Sequence, residues 1–208
     1  MESFEHVVVV PVKPPAHGKS RLVGLTEEQR RDLAAAFALD TVSACLDTPV
    51  VAQVLAVTDD AAFAVRLAAA GCAVVPDGVT GDLNGSLRQA VAEARRRWPG
   101  LHPVALCADL PALRPDDLGR ALAALPGSAP AFVADAAGTG TTLYAAPYDD
   151  FDPHFGPGSR AAHLAVGAAE VPGELASLRQ DVDDLDDLAR ATALGLGART
   201  RAVLPAQQ

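Results

Sequence analysis

The residues best equipped for chemistry fall into three groups, and all three suit phosphate and metal-ion chemistry better than covalent catalysis. The first is the run Lys13-Pro14-Pro15-Ala16-His17-Gly18-Lys19-Ser20-Arg21. Lys13 and Lys19 bring mobile positive charge, Arg21 a planar fork, and Gly18 lets backbone N–H groups approach an anion, so the run reads as a polyphosphate cradle. It lacks the first Gly and the spacing of a Walker A loop. On these residues alone a solvated surface loop accounts for it equally well.

The second group is acidic. Asp109 follows the apolar run Val104 to Cys107 and precedes Pro111, while Asp181-Val182-Asp183-Asp184 lies much later. Alternate residues of an extended segment share a side, so Asp181 and Asp183 can face one way. With Asp109 they suffice for one or two Mg²⁺ ions, which take one or two carboxylates and complete their shell with water and substrate phosphate. The competing reading is that Asp183 to Asp187 cap and charge the first turn of a helix.

The third group is a pair of Gly-rich, hydroxyl-bearing turns, Asp135 to Thr142 (DAAGTGTT) and Phe155 to Arg160 (FGPGSR). Their backbone N–H groups, with the Thr141 and Ser159 hydroxyls and a helix beginning near Gly158, make a pocket for an anion. Two turns without a ligand is the alternative. His6, His17, His102, His154 and His163 have no metal-ligand spacing, and no Ser is flanked as a nucleophile elbow.

Something must bring these groups together, and the hydrophobic pattern says what. The β-branched run Val7 to Val12 reads as a strand buried on both faces. Shorter runs recur at Val54 to Val57, Ala73 to Val75, Val104 to Cys107 and Ala131 to Ala134. Segments of helical character separate them: Glu27 to Leu46, Asp60 to Ala70, Leu83 to Trp98 and Pro115 to Leu125. This alternation predicts a βαβ architecture, in which ligands sit beyond the carboxyl ends of the strands. Thr26 and Gln29 have capping-box spacing, and Leu33, Phe37 and Ala44 predict one apolar face for the helix that follows. Pro115, Asp116 and Asp117 suit a first helical turn. Thr142 to Ala146 is a candidate strand returning into the sheet, and the residues after about 197 read as a loosely packed tail.

The chain has 208 residues, half of them apolar, which predicts a single domain over 1–208. A net charge of −9 without any basic tract argues against a nucleic-acid partner. No apolar stretch approaches a membrane span, so no membrane partner is expected. The opening MESFEHVVVVPV has acidic residues where a secretory signal needs basic ones. Three scattered cysteines, Cys45, Cys72 and Cys107, fit a reduced, cytoplasmic setting.

Taken together, VVPVKPPAHGKSRL, CADLPAL, DAAGTGTTLYAAPYDDFDPHFGPGSRAAH and LRQDVDDLDDLARA resemble the CofC/FbiD-type guanylyltransferases that build the deazaflavin coenzyme F-420. The segments run from residue 9 to residue 191, and the order GTGTT, FGPGSR, RxDVD is the specific part. The resemblance implies an α/β, Rossmann-like nucleotidyltransferase fold with a mainly parallel central sheet and helices on both faces. It implies Mg²⁺-dependent transfer of GMP from GTP to phosphoenolpyruvate, or to 2-phospho-L-lactate in other members, and an unstable product passed to a downstream enzyme. By position, Thr141, Gly156 and Ser159 would bind the acceptor and Asp109, Asp181 and Asp183 the metal. Lys13, Lys19 and Arg21 would serve the GTP polyphosphate and its departing pyrophosphate, with Asn84 beside the nucleotide. The chain departs from the family pattern at Ala108 and Asp82, where Gly is usual. The high-GC character of the composition favours phosphoenolpyruvate. Alternatives are another nucleotidyltransferase or a sugar-nucleotide glycosyltransferase of similar architecture and, from a different class, a non-catalytic GTP-binding module.

Overall fold

A computed structural model describes residues 5–12, 22–79 and 81–204. In chain order the elements are β1 (His6–Pro11), α1 (Glu27–Leu46), β2 (Val51–Val57), α2 (Ala61–Ala69), β3 (Ala73–Val75), α3 (Leu83–Arg97), β4 (His102–Leu106), α4 (Pro115–Ala123) and β5 (Ala131–Ala134). They continue with β6 (Thr141–Ala145), α5 (Ser159–Ala165), β7 (Ala169–Glu170), α6 (Ala176–Arg179), α7 (Leu185–Leu194) and α8 (Ala198–Val203). The seven strands form one sheet in the order β3-β2-β1-β4-β6-β5-β7. β1 is parallel to β2 and β4, β2 to β3, and β5 to β7, whereas β6 runs antiparallel to both β4 and β5. The expected α/β fold with a mainly parallel sheet is therefore present, and the return strand anticipated at Thr142 to Ala146 is β6.

Alternation along β1 sends its side chains to opposite faces. Val8 and Val10 pack with Leu39 and Val42 of α1, Leu67 of α2 and Leu118 of α4. Val7 and Val9 pack with Leu87 and Val91 of α3. Being covered on both faces is why β1 reads as an unbroken apolar run. Pro103, which has no N–H to give, falls one residue before Val104, where β6 begins its pairing with β4.

The boundaries of α1 follow from its cap. Thr26 accepts from the Gln29 N–H at 3.2 Å while the Gln29 amide accepts from the Thr26 N–H at 2.8 Å, as the capping-box spacing predicts. Its packing differs from the single apolar face expected. Ala44 lies in the core beneath the sheet. Leu33 and Phe37 instead join a third core with Val182, Leu188, Ala191 and Leu196. α1 is thus clamped between the sheet and the 182–196 segment, and burial of Leu33 and Phe37 there contributes roughly 2 kcal/mol each.

The segment after residue 197, expected to be loose, forms α8, with Thr200 fully buried. Its N-cap residue is Gly197, which has no side chain to cap with. Asp40 of α1 supplies the missing carboxylate, accepting from Arg199 N–H at 3.1 Å and Thr200 N–H at 2.8 Å. A similar device joins α4 to α6: Asp117, expected only to favour the helix dipole, is buried and accepts from both the Ser177 N–H (2.9 Å) and its hydroxyl (2.6 Å).

Two predictions follow from buried polar groups in this fold. Asp40→Ala should lower stability by about 1–2 kcal/mol and unfasten α8, read as a lower urea midpoint and faster amide exchange at Arg199 and Thr200. His6 and His163 are 4 % and 0 % exposed. Burial, assisted by the nearby His102 and His154 respectively, lowers each from 6.5 to about 4. Each is neutral when folded but takes a proton on unfolding below about pH 6.5, so the unfolded chain holds more protons between pH 6.5 and 4. Stability should therefore fall as pH is lowered through that window, by up to ~3 kcal/mol per histidine. Urea midpoints that stay constant from pH 7 to pH 4.5 would contradict this.

Candidate functional site

The carboxyl end of β4 carries Cys107-Ala108-Asp109-Leu110, and a buried threonine holds it. The Thr41 hydroxyl of α1 accepts from the Leu110 N–H at 3.1 Å and lies 3.1 Å from the Ala108 carbonyl and 2.8 Å from that of Phe37. Asp109 is therefore bracketed on both sides by one fully buried side chain. Its own carbonyl accepts from the Val182 N–H at 3.0 Å, which lays the 181–183 segment alongside the strand end. Val182 is buried in the third core, and Asp181 and Asp183 flank it.

The acidic run divides its labour. Asp184 is the N-cap of α7, accepting from the Asp187 N–H at 2.9 Å, and the Asp187 carboxylate accepts from the Asp183 and Asp184 N–H groups. The capping reading thus holds for Asp184 and Asp187. Among the described residues, no group of three or more His, Cys, Asp or Glu side chains is placed to hold a metal ion. Backbone pairing brings Asp109 alongside Asp181 and Asp183 without assembling a closed cage. Three carboxylates here remain the right chemistry for a hard cation, which leaves most of its shell to water and phosphate.

The two Gly-rich turns meet at the same edge, because antiparallel β6 begins where β4 ends: Cys107 N–H donates to the Thr142 carbonyl at 2.9 Å. The first turn wraps the Asp135 carboxylate, which accepts from Thr139 N–H (2.9 Å) and Gly140 N–H (2.8 Å). A Cβ at Gly140 would collide with that carboxylate. In the second turn Gly156 and Gly158 have φ of 136° and 72°, conformations that disfavour any side chain. Arg160 N–H donates to the Thr139 carbonyl at 3.2 Å, tying one turn to the other.

Asn84, expected beside the nucleotide, spends its amide on the second turn, donating to the Phe155 carbonyl at 3.0 Å and accepting from the Phe155 N–H at 2.8 Å. Asp82, the departure from Gly, is the N-cap of α3 and accepts from the Gly85 N–H. Arg179 binds carbonyls of Ala134 (2.9 Å) and Val171 (3.0 Å), and its own carbonyl accepts from Ala136 N–H at 2.7 Å. It fastens the start of the first turn to the chain leading into Asp181.

Behind the turns, Thr141 and Ser159 are both buried. Thr141 Oγ1 lies 3.0 Å from His163 Nδ1, and His163 Nε2 accepts from the His154 N–H at 2.9 Å. The His163 ring is stacked between Phe132 and Tyr144, at centroid distances of 5.3 and 4.8 Å. The structure thus gathers Thr141, Gly156, Ser159 and Asn84 around the two turns, and Asp109, Asp181 and Asp183 along the neighbouring strand end. Lys13, Lys19 and Arg21 lie outside the described residues. Sequence reasoning missed Thr41, which carries no local signal, and gave Arg179, the first residue of RxDVD, no role of its own. It also missed His163, whose spacing of four from Ser159 on one helix face was the available sign. A separate cavity of about 400 Å³ between β3 and α3, lined by residues including Val75, Ser86, Gln89 and Glu93, includes none of the expected site residues.

Comparison with known proteins bears on the whole chain. The family model described as Guanylyl transferase CofC like matches residues 6–204. A phosphoenolpyruvate guanylyltransferase of Thermomonospora curvata is 52 % identical over 198 residues, covering 94 % of this chain and 87 % of that protein. A protein of the same name from Streptomyces coelicolor is 50 % identical over 203 residues, covering 96 % of each. Among solved structures, a nucleotidyl transferase from Methanothermobacter thermautotroptrophicus superimposes with a TM-score of 0.63 at 21 % identity, covering 91 % of this chain and 97 % of that one, and so shares the fold. The chain belongs to the CofC-like guanylyl transferases.

Proposed function

We propose that this protein transfers the guanylyl group of GTP to phosphoenolpyruvate, giving enolpyruvyl-diphospho-guanosine and pyrophosphate, in the cytoplasmic synthesis of coenzyme F-420. The observation that carries the reading is the shared edge: two Gly-rich turns bearing Thr141 and Ser159 stand beside the strand end bearing Asp109. That pairs an anion pocket with carboxylates suited to a cation. The activity for which the relatives are named supplies the acceptor.

The acceptor phosphate is already ionised near neutral pH, so its oxygen attacks the α-phosphorus without a general base, and the bond to pyrophosphate breaks. What this chain must contribute is alignment and charge. Thr141, Gly156 and Ser159 hold the acceptor through hydroxyl and backbone donors. Lys13, Lys19 and Arg21 offset the charge that grows on pyrophosphate, in a protein whose net charge of −9 would otherwise repel both substrates. Asp109, Asp181 and Asp183 would hold Mg²⁺, which neutralises phosphate charge and lets two anions approach. The product is a reactive mixed diphosphate suited to hand-over to a downstream enzyme.

Pyrophosphate release from GTP should require both phosphoenolpyruvate and a divalent ion, cease with EDTA and resume with Mg²⁺; parallel reactions with 2-phospho-L-lactate and with no acceptor name the substrate. Release without any acceptor, or none at all from folded protein, would refute the reaction. Asp109→Ala should lower kcat by about 100-fold or more with an unchanged urea midpoint. Ser159→Ala should raise the KM for the acceptor about tenfold and leave that for GTP unchanged; equal changes in both would remove Ser159 from the acceptor pocket.

A further inference from the structure

The position of the His163 ring proton determines which way the Thr141 hydroxyl can point. The His154 backbone N–H can only donate, and it meets His163 Nε2 at 2.9 Å, so Nε2 carries no proton. A neutral imidazole has one proton, which must then sit on Nδ1, 3.0 Å from Thr141 Oγ1. The ring is fully buried between Phe132 and Tyr144, with the edge of Phe155 5.7 Å away, surroundings that oppose a charged imidazolium. Nδ1–H therefore donates to the hydroxyl oxygen, with the Ser159 backbone one turn earlier as a second, weaker partner that also requires the proton on Nδ1. The hydroxyl's own hydrogen is left over, and among the described residues no other side chain or backbone group bonds to Thr141 Oγ1.

We propose that His163 is a positioning residue for acceptor recognition: by donating to Thr141 Oγ1 it occupies one lone pair and turns the O–H away from the ring, so that the hydroxyl donates to a carboxylate or phosphate oxygen of the acceptor. This rests on Thr141 lying in the acceptor pocket. An unassisted Thr hydroxyl rotates freely and binds donors and acceptors alike. With one lone pair occupied by Nδ1–H and its own hydrogen turned outward, it favours groups that accept. The site thereby favours anionic oxygens, the strongest acceptors, over groups that can only donate, using a ring that never touches the ligand. His154 contributes its backbone N–H and a ring packed edge-on against His163 at 5.9 Å, and the α5 turn from Ser159 to His163 couples the two hydroxyl-bearing walls of the pocket.

Nitrogen-15 shifts of the His163 ring in the wild-type protein at pH 7 read the tautomer directly. A proton on Nδ1 and none on Nε2 is expected; the reverse, or protons on both, overturns the proposal whatever the enzyme's activity. Steady-state kinetics then test the consequence. Thr141→Val and His163→Phe should each raise the acceptor KM about tenfold or more, with the GTP KM within about twofold of wild type. The double variant should be no worse than either single one. Thr141→Ser keeps a hydroxyl, and His163→Asn keeps a donor near the Nδ1 position; both should stay close to wild type. Additive losses, or equal effects on GTP and acceptor, overturn the positioning role. If Thr141→Val leaves the acceptor KM unchanged while wild type turns over, the pocket assignment fails and takes this proposal with it. A wild-type protein that releases no pyrophosphate refutes the proposed reaction instead, a result separable from the tautomer. Should His163→Phe fail to fold, the Thr141→Val and Thr141→Ser pair together with the ring shifts still decides the matter.

Discussion

The direction of β6 is the constraint on which the rest of the site depends. In a sheet whose other neighbours of β4 and β5 run parallel, β6 lies antiparallel between them, with Leu143 opposite Leu106 and Val133. A strand that ran the other way would put Thr141 at the far edge, a strand's length from Asp109. Reversal places the start of β6 beside the ends of β4 and β5, so a turn leaving one strand and a turn entering the next occupy the same rim. The Cys107 N–H to Thr142 carbonyl bond is the rung at which this exchange is made. Everything called the site hangs from that rim: the Asp135 turn, Asp109, and through Val182 the acidic segment.

Residues with functional types sit on loops, and loops are ordinarily the mobile part of a fold. Here each functional segment is held by a side chain from elsewhere that spends its hydrogen bonds on main chain. Thr41 brackets Asp109, Asn84 pairs with Phe155 in both directions, Asp135 gathers the amides of its own turn, and Arg179 fastens two carbonyls. These holders come from α1, α3, the end of β5 and α6, so the precision of the rim draws on elements from both faces of the sheet. Asp82, where the family pattern has Gly, is accommodated because the backbone there is extended, with φ of −118°, and its carboxylate caps α3 by accepting from the Gly85 N–H.

Much of the fold was legible because its signals are local. An unbroken Val run, a Thr26–Gln29 capping box and Pro115 in a first turn each name their element without reference to the rest of the chain. The site's ingredients were legible for the same reason, since Gly beside hydroxyls and Asp at a strand end are visible in a short window. What could not be read was long-range. Nothing within ten residues of Asp40 says that it caps a helix beginning at Ala198, and nothing near Asn84 says that its amide pairs with the Phe155 backbone 71 positions away. The two-sided burial of α1 was hidden similarly: periodicity records that Leu33 and Phe37 are apolar, not which partner covers them. Histidines judged by metal-ligand spacing were judged by the wrong criterion, because His163 acts through a hydrogen bond to a hydroxyl.

The clamp on α1 has a consequence for how the chain is made. Leu33 and Phe37 are made well before Val182, Leu188, Ala191 and Leu196, which cover them, and before the Arg199 and Thr200 N–H groups that donate to the Asp40 carboxylate. During vectorial synthesis the sheet can gather β1, β2, β3 and β4 on one side of α1 while its other side still faces solvent. An apolar helix face held open for most of translation is the kind of surface that holdase chaperones grip and that neighbouring nascent chains can mistake for a partner. Closure over α1 is therefore postponed until residues 182–196 have been made, and a chain cut short before them would leave Leu33 and Phe37 uncovered.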